Sequence, residues 1–239
     1  MAAIHQGSVR PLLISFSGLD GAGKSTQIEN LRSFIEARGL RTRVLAFWDD
    51  VVVFRAHRED FVHQVLGSER GVGAPERPVN RRDKNVSRWY LTVARHALYL
   101  MDAINARRVL RRARGRAHVV ILDRYIYDEL ANLPLQYAAT RAFARLVARI
   151  VPTPDVAYLL DADPMAARAR KPEYPVDFLH RSRMSYYRLA AMLKTLTLIP
   201  TVPLADACRI VESAFDKLAS RETAVVPAPQ LPDHPGLSA

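Results

Sequence analysis

Gly18-Leu19-Asp20-Gly21-Ala22-Gly23-Lys24-Ser25-Thr26 fits the phosphate-binding pattern G-x-x-x-x-G-K-[ST] at every fixed position. Glycines let such a backbone fold tightly and turn its N–H groups toward one point, and a following helix N-terminus adds partial positive charge. In this pattern Lys24 reaches the β- and γ-phosphates and the Ser25 hydroxyl ligates Mg²⁺. Gly18, Asp20, Gly21, Ala22, Gly23, Lys24, Ser25 and Thr26 therefore form a candidate nucleoside-triphosphate cradle. Triphosphate binding alone does not fix the chemistry that follows.

Two further constellations bear on that chemistry. Asp123-Arg124-Tyr125 follows the apolar run Val119-Val120-Ile121-Leu122. A carboxylate there can hold Mg²⁺, directly or through water, opposite Ser25, and an arginine beside it can fork onto phosphate oxygens. The bland alternative is a surface Asp–Arg pair. Asp161-Ala162-Asp163-Pro164 precedes Arg168, Arg170, Lys171 and Glu173, then Arg181, Arg183, Tyr186 and Tyr187. A short helix bearing Arg168 and Arg170, bounded by Pro172 and Pro175, reads as a hinged lid over about residues 165–176. Arginines that arrive on closure clamp the transferring charge and exclude water. The alternative is a solvated basic helix end.

These residues need elements to hold them. Leu12 to Phe16 reads as a strand leading into the loop, and Ser25 to Arg38 as a helix with Ile28, Leu31 and Ile35 on one face and Gly39 as its cap. Arg43 to Trp48 reads as a second strand and Val51 to Leu66 as a helix. A polar, arginine-rich loop follows from Gly67 to Asn85. Ser87 is expected to cap a long helix to about Arg114, with Leu91, Ala94, Leu98, Met101 and Ile104 inward. His118 to Asp123 is a strand covered on both faces. Helical material broken at Pro134 resumes around Thr140 to Ile150, and Val156 to Asp161 is a strand. Asp163 and Pro164 open a helix; Val176 to Leu193 is another; Thr195 to Ile199 is a last strand and Ala205 to Ser220 a closing helix.

Alternating strands and helices imply an α/β fold, a P-loop NTPase-type parallel sheet of about five strands with helices on both faces and a small arginine-bearing lid. Ligands then bind at the carboxyl ends of the strands, where the phosphate loop, Asp123 and Asp161 all fall. The organisation expected is a flexible arm (1–10), a single P-loop domain (11–220) and a proline-rich disordered tail (221–239).

Composition bounds the rest. The 239 residues are 49% apolar and 25% charged, as in a soluble globular protein. No apolar run reaches the roughly 20 residues of a membrane helix. Cys208 is the only cysteine, which excludes an intramolecular disulfide and points to a cytoplasmic setting. The formal charge of +11 invites a nucleic-acid partner, and Arg107, Arg108, Arg111, Arg112, Arg114 and Arg116 are its best support. Their spacing instead forms a solvated face near a helix end, and no aromatic residues interleave with them to stack bases. Nucleic acid is not expected as a partner.

Phe16 to Gln27, Asp123-Arg124-Tyr125 and Asp161 to Arg170 together resemble the thymidylate kinase family of P-loop nucleoside monophosphate kinases, over about Leu12 to Leu218. The resemblance implies ATP and Mg²⁺ as cofactors, a nucleotide acceptor, most simply dTMP, and a reversible transfer giving a diphosphate. It implies that Lys24 and Arg124 bridge donor and acceptor phosphates, that Asp20 approaches the acceptor's sugar or the Mg²⁺ shell, and that the protein is a homodimer. Some members carry a catalytic arginine inside the phosphate loop. This loop, with Ala22 and its glycines, holds none, which is similar to members that supply arginines from the lid, here Arg168 and Arg170.

The acceptor side departs from the family. An arginine-led Pro-Gly-Gly stretch is replaced by Phe47-Trp48-Asp49-Asp50, and the Asp-Arg pair of the long helix is missing; Arg95 and Asp102 are the nearest features. Trp48, Phe54, Arg95 and Tyr99 could rebuild an acceptor pocket, with Asp20 and Arg124 beside it. Two other readings stay open: a P-loop kinase of a nucleoside or sugar derivative, and a non-catalytic nucleotide-binding protein.

Overall fold

The strand that feeds the phosphate loop, β1 (Leu12–Gly18), is buried along its whole length. Its residues alternate between two cores. Leu13 joins Leu45, Val120, Leu122 and Leu159 on one side; Leu12, Ile14 and Phe16 join Val119, Ile121 and Tyr158 on the other. Both faces are covered, so apolar residues lie on both, with Ser15 and Ser17 buried among them. The computed structural model describes residues 10–53 and 89–224.

Five strands pair in parallel in the order β2-β3-β1-β4-β5, with β2 at Thr42–Ala46, β3 at Val119–Asp123, β4 at Val156–Leu160 and β5 at Leu196–Ile199. Helices α1 (Lys24–Glu36) and α7 (Leu204–Ala224) cover one face, burying Ile28, Leu31, Ile35, Val211 and Phe215. The other face carries α2 (Trp89–Arg114), α3 (Ile126–Ala131), α4 (Ala138–Ile150) and α6 (Val176–Leu193). The short helix α5 (Pro164–Arg170) sits at the carboxyl end of the sheet. Because β1 lies between β3 and β4, the chain departs from it in opposite directions, which opens a ligand crevice at that end. The expected fold class is therefore the observed one.

Two local expectations are corrected. The second strand stops at Ala46 rather than Trp48, and Phe47–Val51 forms a π-helical turn closed by Val52 N–H donating to the Phe47 carbonyl at 3.1 Å. Its neighbour β3 ends opposite Ala46, at Asp123, and Asp50 Oδ2 takes the Ala46 N–H at 2.8 Å, so nothing remains to extend the ladder. In α2, Met101 and Ile104 face solvent, 41% and 47% exposed, while Tyr99, Asp102, Ala103, Ala106, Leu110 and Ala113 face inward. Alanines let the helix approach the sheet closely. Asp102 turns inward because its Oδ1 accepts the Val53 N–H at 2.9 Å, and that rotates the buried face away from the most apolar stripe.

Boundaries elsewhere move little. The first helix takes in Lys24, and the last runs to Ala224 rather than stopping at Ser220. Gly39 has the positive φ expected of a helix cap, +77°. Arg107, Arg108, Arg111, Arg112 and Arg116 are exposed, as a solvated helix end requires; Arg114 is half-buried. The expected Val51–Leu66 helix lies almost entirely, and the Gly67–Asn85 loop, Ser87 and the tail beyond 224 wholly, outside the described residues. No helix among the described residues is long and apolar enough to cross a membrane.

Candidate active site

The phosphate loop spans Gly18 to Gly23 between β1 and α1. Gly23 caps α1 in a left-handed conformation (φ +89°), and no side chain caps the helix. The first-turn amides are thereby left to face a ligand, in the field of the helix dipole. A Cβ at Gly23 would meet nothing within 4 Å, so the space over the helix start is open. Gly21 differs. Its φ is +83°, and a Cβ there would lie 2.3 Å from the Ala167 carbonyl oxygen of α5. The expected lid helix therefore rests directly on the loop, and no residue larger than glycine fits between them.

Lys24 is buried and folds back on its own loop. Its Nζ donates to the Leu19 carbonyl at 2.8 Å and the Gly18 carbonyl at 3.0 Å. Burial, helped by the nearby Arg124 charge, lowers its pKa from 10.5 to about 8; Asp20, Asp128 and Asp123 oppose that shift.

Arg124 reaches the same place from the adjacent strand end. Its backbone is left-handed (φ +63°), pinned by its N–H donating to the Phe16 carbonyl at 2.9 Å. That turn swings the guanidinium over the loop, where Nη2 donates to Asp20 and Nη1 lies 3.4 Å from Asp128 Oδ1. Burial works against the charge, yet Asp128 and Asp20 hold it above the ordinary arginine range.

Asp128 went unnoticed in the sequence. Asp128 is the third residue of α3 and only 4% exposed. Its Oδ2 accepts from Ser17 Oγ at 2.7 Å and from the Tyr125 N–H at 3.0 Å; its Oδ1 accepts from Tyr186 Oη at 2.7 Å. Tyr186 Oη also lies 3.4 Å from the Gly18 carbonyl. Burial and the Asp128 carboxylate push the Tyr186 phenol well above its usual value, so it stays a neutral donor. The available signal was an acid three residues beyond the Tyr125 that precedes the helix, the spacing at which a side chain reaches back to a helix N-terminus.

The third constellation divides in two. Asp161, at the end of β4, accepts both Arg183 Nε (2.7 Å) and Nη2 (2.6 Å), and Thr201 Oγ1 at 3.3 Å, so it fastens α6 to the sheet. Asp163 caps α5 as expected, its Oδ2 accepting the Ala166 N–H at 2.9 Å, with Pro164 in the first turn. Arg168 is half-buried and Arg170 exposed, its Nε donating to the Ala166 carbonyl at 3.2 Å. Both ride on the helix that touches Gly21, and Lys171, which follows, lies 4.0 Å from Asp20 and 3.1 Å from Glu173.

The acceptor candidates are less gathered. Trp48 is part-exposed on the π turn beside the end of β3, and Arg95 is half-buried one helical turn before Tyr99. Tyr99 itself packs in the core, and Phe54 lies outside the described residues. Asp102 and Asn105 brace the turn: Asn105 Nδ2 donates to the Val51 carbonyl at 2.8 Å.

The divalent ion implied by the loop motif finds suitable donors. Ser25 is exposed in the first turn of α1, and Asp123 ends β3 in register with Phe16. Both supply hard oxygens, and neither is engaged by a protein donor among the described residues, which suits Mg²⁺. No group of three or more His, Cys, Asp or Glu that could hold a metal ion occurs among the described residues.

A parallel sheet, a glycine loop closing on a helix start, a buried lysine and a strand-end Asp-Arg pair define a P-loop NTPase-type kinase site. The chain is 31% identical over 191 residues to a thymidylate kinase of Bifidobacterium longum subsp. infantis, covering 75% of this chain and 74% of that one. It is 29% identical over 232 residues to a thymidylate kinase of Clavibacter michiganensis, covering 91% and 97%. A solved thymidylate kinase structure from Ehrlichia chaffeensis superposes with a TM-score of 0.55 at 16% identity, over 86% of this chain and 98% of that one. No protein-family model matches the chain. On these relatives, the chain belongs to the thymidylate kinase family.

Proposed function

We propose that this protein transfers the γ-phosphoryl group of ATP to a nucleoside monophosphate, most simply dTMP, giving ADP and the diphosphate. The observation that carries the reading is the convergence of two cations on one loop: Lys24 on the Gly18 and Leu19 carbonyls, Arg124 on Asp20. Phosphoryl transfer asks little covalent chemistry of a protein and is catalysed by positioning and charge stabilisation. The first-turn amides of α1 hold the donor phosphates; Lys24 leaves the loop carbonyls to meet them. Arg124, on the acceptor side of the loop, pairs with the incoming phosphate and aligns it. Arg168 and Arg170 on α5 supply charge at the transferring group, and Ala167 seats that helix on Gly21 so that water is kept out. Ser25 and Asp123 would hold Mg²⁺, which neutralises phosphate charge when bound. The names of the relatives support dTMP as acceptor.

A second reading rests on the π turn. Beside the end of β3 it carries Asp49 and Asp50, carboxylates poorly suited to greet a phosphate dianion and better suited to a neutral hydroxyl acceptor. One experiment separates the two: ADP release with ATP·Mg²⁺ across a panel of nucleoside monophosphates and nucleosides. Turnover stimulated by a monophosphate, dTMP first, supports the leading reading. Stimulation by nucleosides alone supports the second, and no stimulation above buffer defeats both.

A further inference from the structure

Asp128 is buried, only 4% exposed, and heavily engaged. Four donors converge on it: the Ser17 hydroxyl and Tyr125 N–H on Oδ2, the Tyr186 hydroxyl and Arg124 Nη1 on Oδ1. They come from β1 just before the loop, from the β3–α3 junction and from α6. A buried carboxylate so surrounded has a fixed position, because any displacement would leave several buried donors unpaired.

Arg124 is shared between two carboxylates of unequal burial. Asp20, on Nη2, has a side chain 22% exposed and lies on the loop; Asp128, on Nη1, is buried. An arriving phosphate oxygen can replace Asp20, which water and Lys171 can then satisfy. It cannot replace Asp128. We propose that Asp128 is a positioning residue for catalysis: it retains Arg124 through Nη1 while Nη2 is exchanged from Asp20 to a phosphate oxygen. Tyr186 and Ser17 hold Asp128 in place for that exchange. This inference rests on the reading of Arg124 as a phosphate-contacting residue.

The network also predicts how a nearly isosteric substitution fails. In Asp128→Asn the amide oxygen must take the Oδ2 position, because the Tyr125 N–H there can only donate. The amide NH₂ then falls at Oδ1, against the Arg124 guanidinium, where donor meets donor. Tyr186→Phe instead leaves the carboxylate intact and removes one of its supports.

The test is a double-mutant cycle between Asp128→Asn and Arg124→Ala, with Tyr186→Phe as a milder variant and melting temperature followed throughout. Asp128→Asn is expected to lower kcat about tenfold or more, since small misplacements of a catalytic group are that costly, with KM for ATP nearly unchanged. In the Arg124→Ala background it should have no further effect on kcat. Tyr186→Phe should shift kcat the same way by a smaller factor. A second readout needs no turnover: the Arg124 Nε–H signal in arginine-labelled protein, identified by its loss in Arg124→Lys. It should be ordered in the native chain and mobile in Asp128→Asn. Equal losses with and without Arg124 would overturn the proposal, as would an unchanged kcat or an Arg124 signal that stays ordered. A wild-type protein inactive on the whole acceptor panel would instead defeat the functional reading, and the ordering measurement would still decide whether Asp128 positions Arg124.

Discussion

Arg124 donates to Asp20 across the mouth of the phosphate loop, so its guanidinium is held by a loop carboxylate. If Arg124 acts on charge developing during transfer, Arg124→Ala lowers kcat by roughly 10²–10³ while ATP affinity changes little. Steady-state kinetics beside direct ATP titration check this. A loss expressed mainly in ATP affinity would place Arg124 on the donor side instead.

The lowered pKa of Lys24 makes ATP binding pH-dependent. The ammonium loses its proton near pH 8 in the ligand-free protein because burial penalises the charge. Triphosphate favours the charged form, so binding takes up a proton once the pH exceeds that value. The dissociation constant for ATP should be flat below about pH 8 and rise about tenfold per pH unit above it. Calorimetry in buffers of different ionisation enthalpy reads the proton directly; a flat profile through pH 9 would contradict the buried, loop-bound lysine.

Gly21 and Gly23 share a left-handed backbone but differ in surroundings, and alanine separates the two effects. Gly23→Ala adds backbone strain of about 1–2 kcal/mol and places a methyl where phosphate should lie. Gly21→Ala adds the same strain plus a collision with Ala167, about 1–3 kcal/mol more. Urea midpoints should therefore fall further for Gly21→Ala, with Gly23→Ala losing more ATP affinity. Equal midpoints would mean that α5 does not press on the loop.

Replacing Arg168 and Arg170 together by alanine tests the lid. The double variant should bind ATP nearly as the native chain does and turn over at least about tenfold more slowly. Full turnover would remove α5 from the catalytic machinery.

The strand, phosphate loop and helix start were legible because their residues are contiguous and the motif specifies backbone geometry. The strand ends were legible as apolar runs terminating in Asp123 and Asp161. Asp128 was not, because it stands on a short helix among Tyr127 and Glu129, and only folding brings Ser17 and Tyr186 to it from far along the chain. The inward face of α2 was misread for a related reason. Hydrophobicity ranks Met101 and Ile104 above Ala103 and Asp102, but the helix packs by closeness of approach and by the hydrogen bond that Asp102 owes Val53. Side chains whose task is to satisfy a distant backbone group leave no local pattern to read.

The position of β1 in the middle of the sheet has a consequence for how the chain is made. Its first partner, β3, pairs Leu12 with Val119, and its second, β4, pairs Ile14 with Val156. During synthesis the seven residues of β1 emerge before both neighbours and cannot pair until β3, which begins 107 residues after Leu12, has followed them. A nascent chain halted before β4 would display one unpaired edge of Leu-Leu-Ile-Ser-Phe-Ser-Gly to chaperones or to other copies of itself. The strand that leads into the phosphate loop is thus the first of the five to be translated and is completed only when β4 arrives.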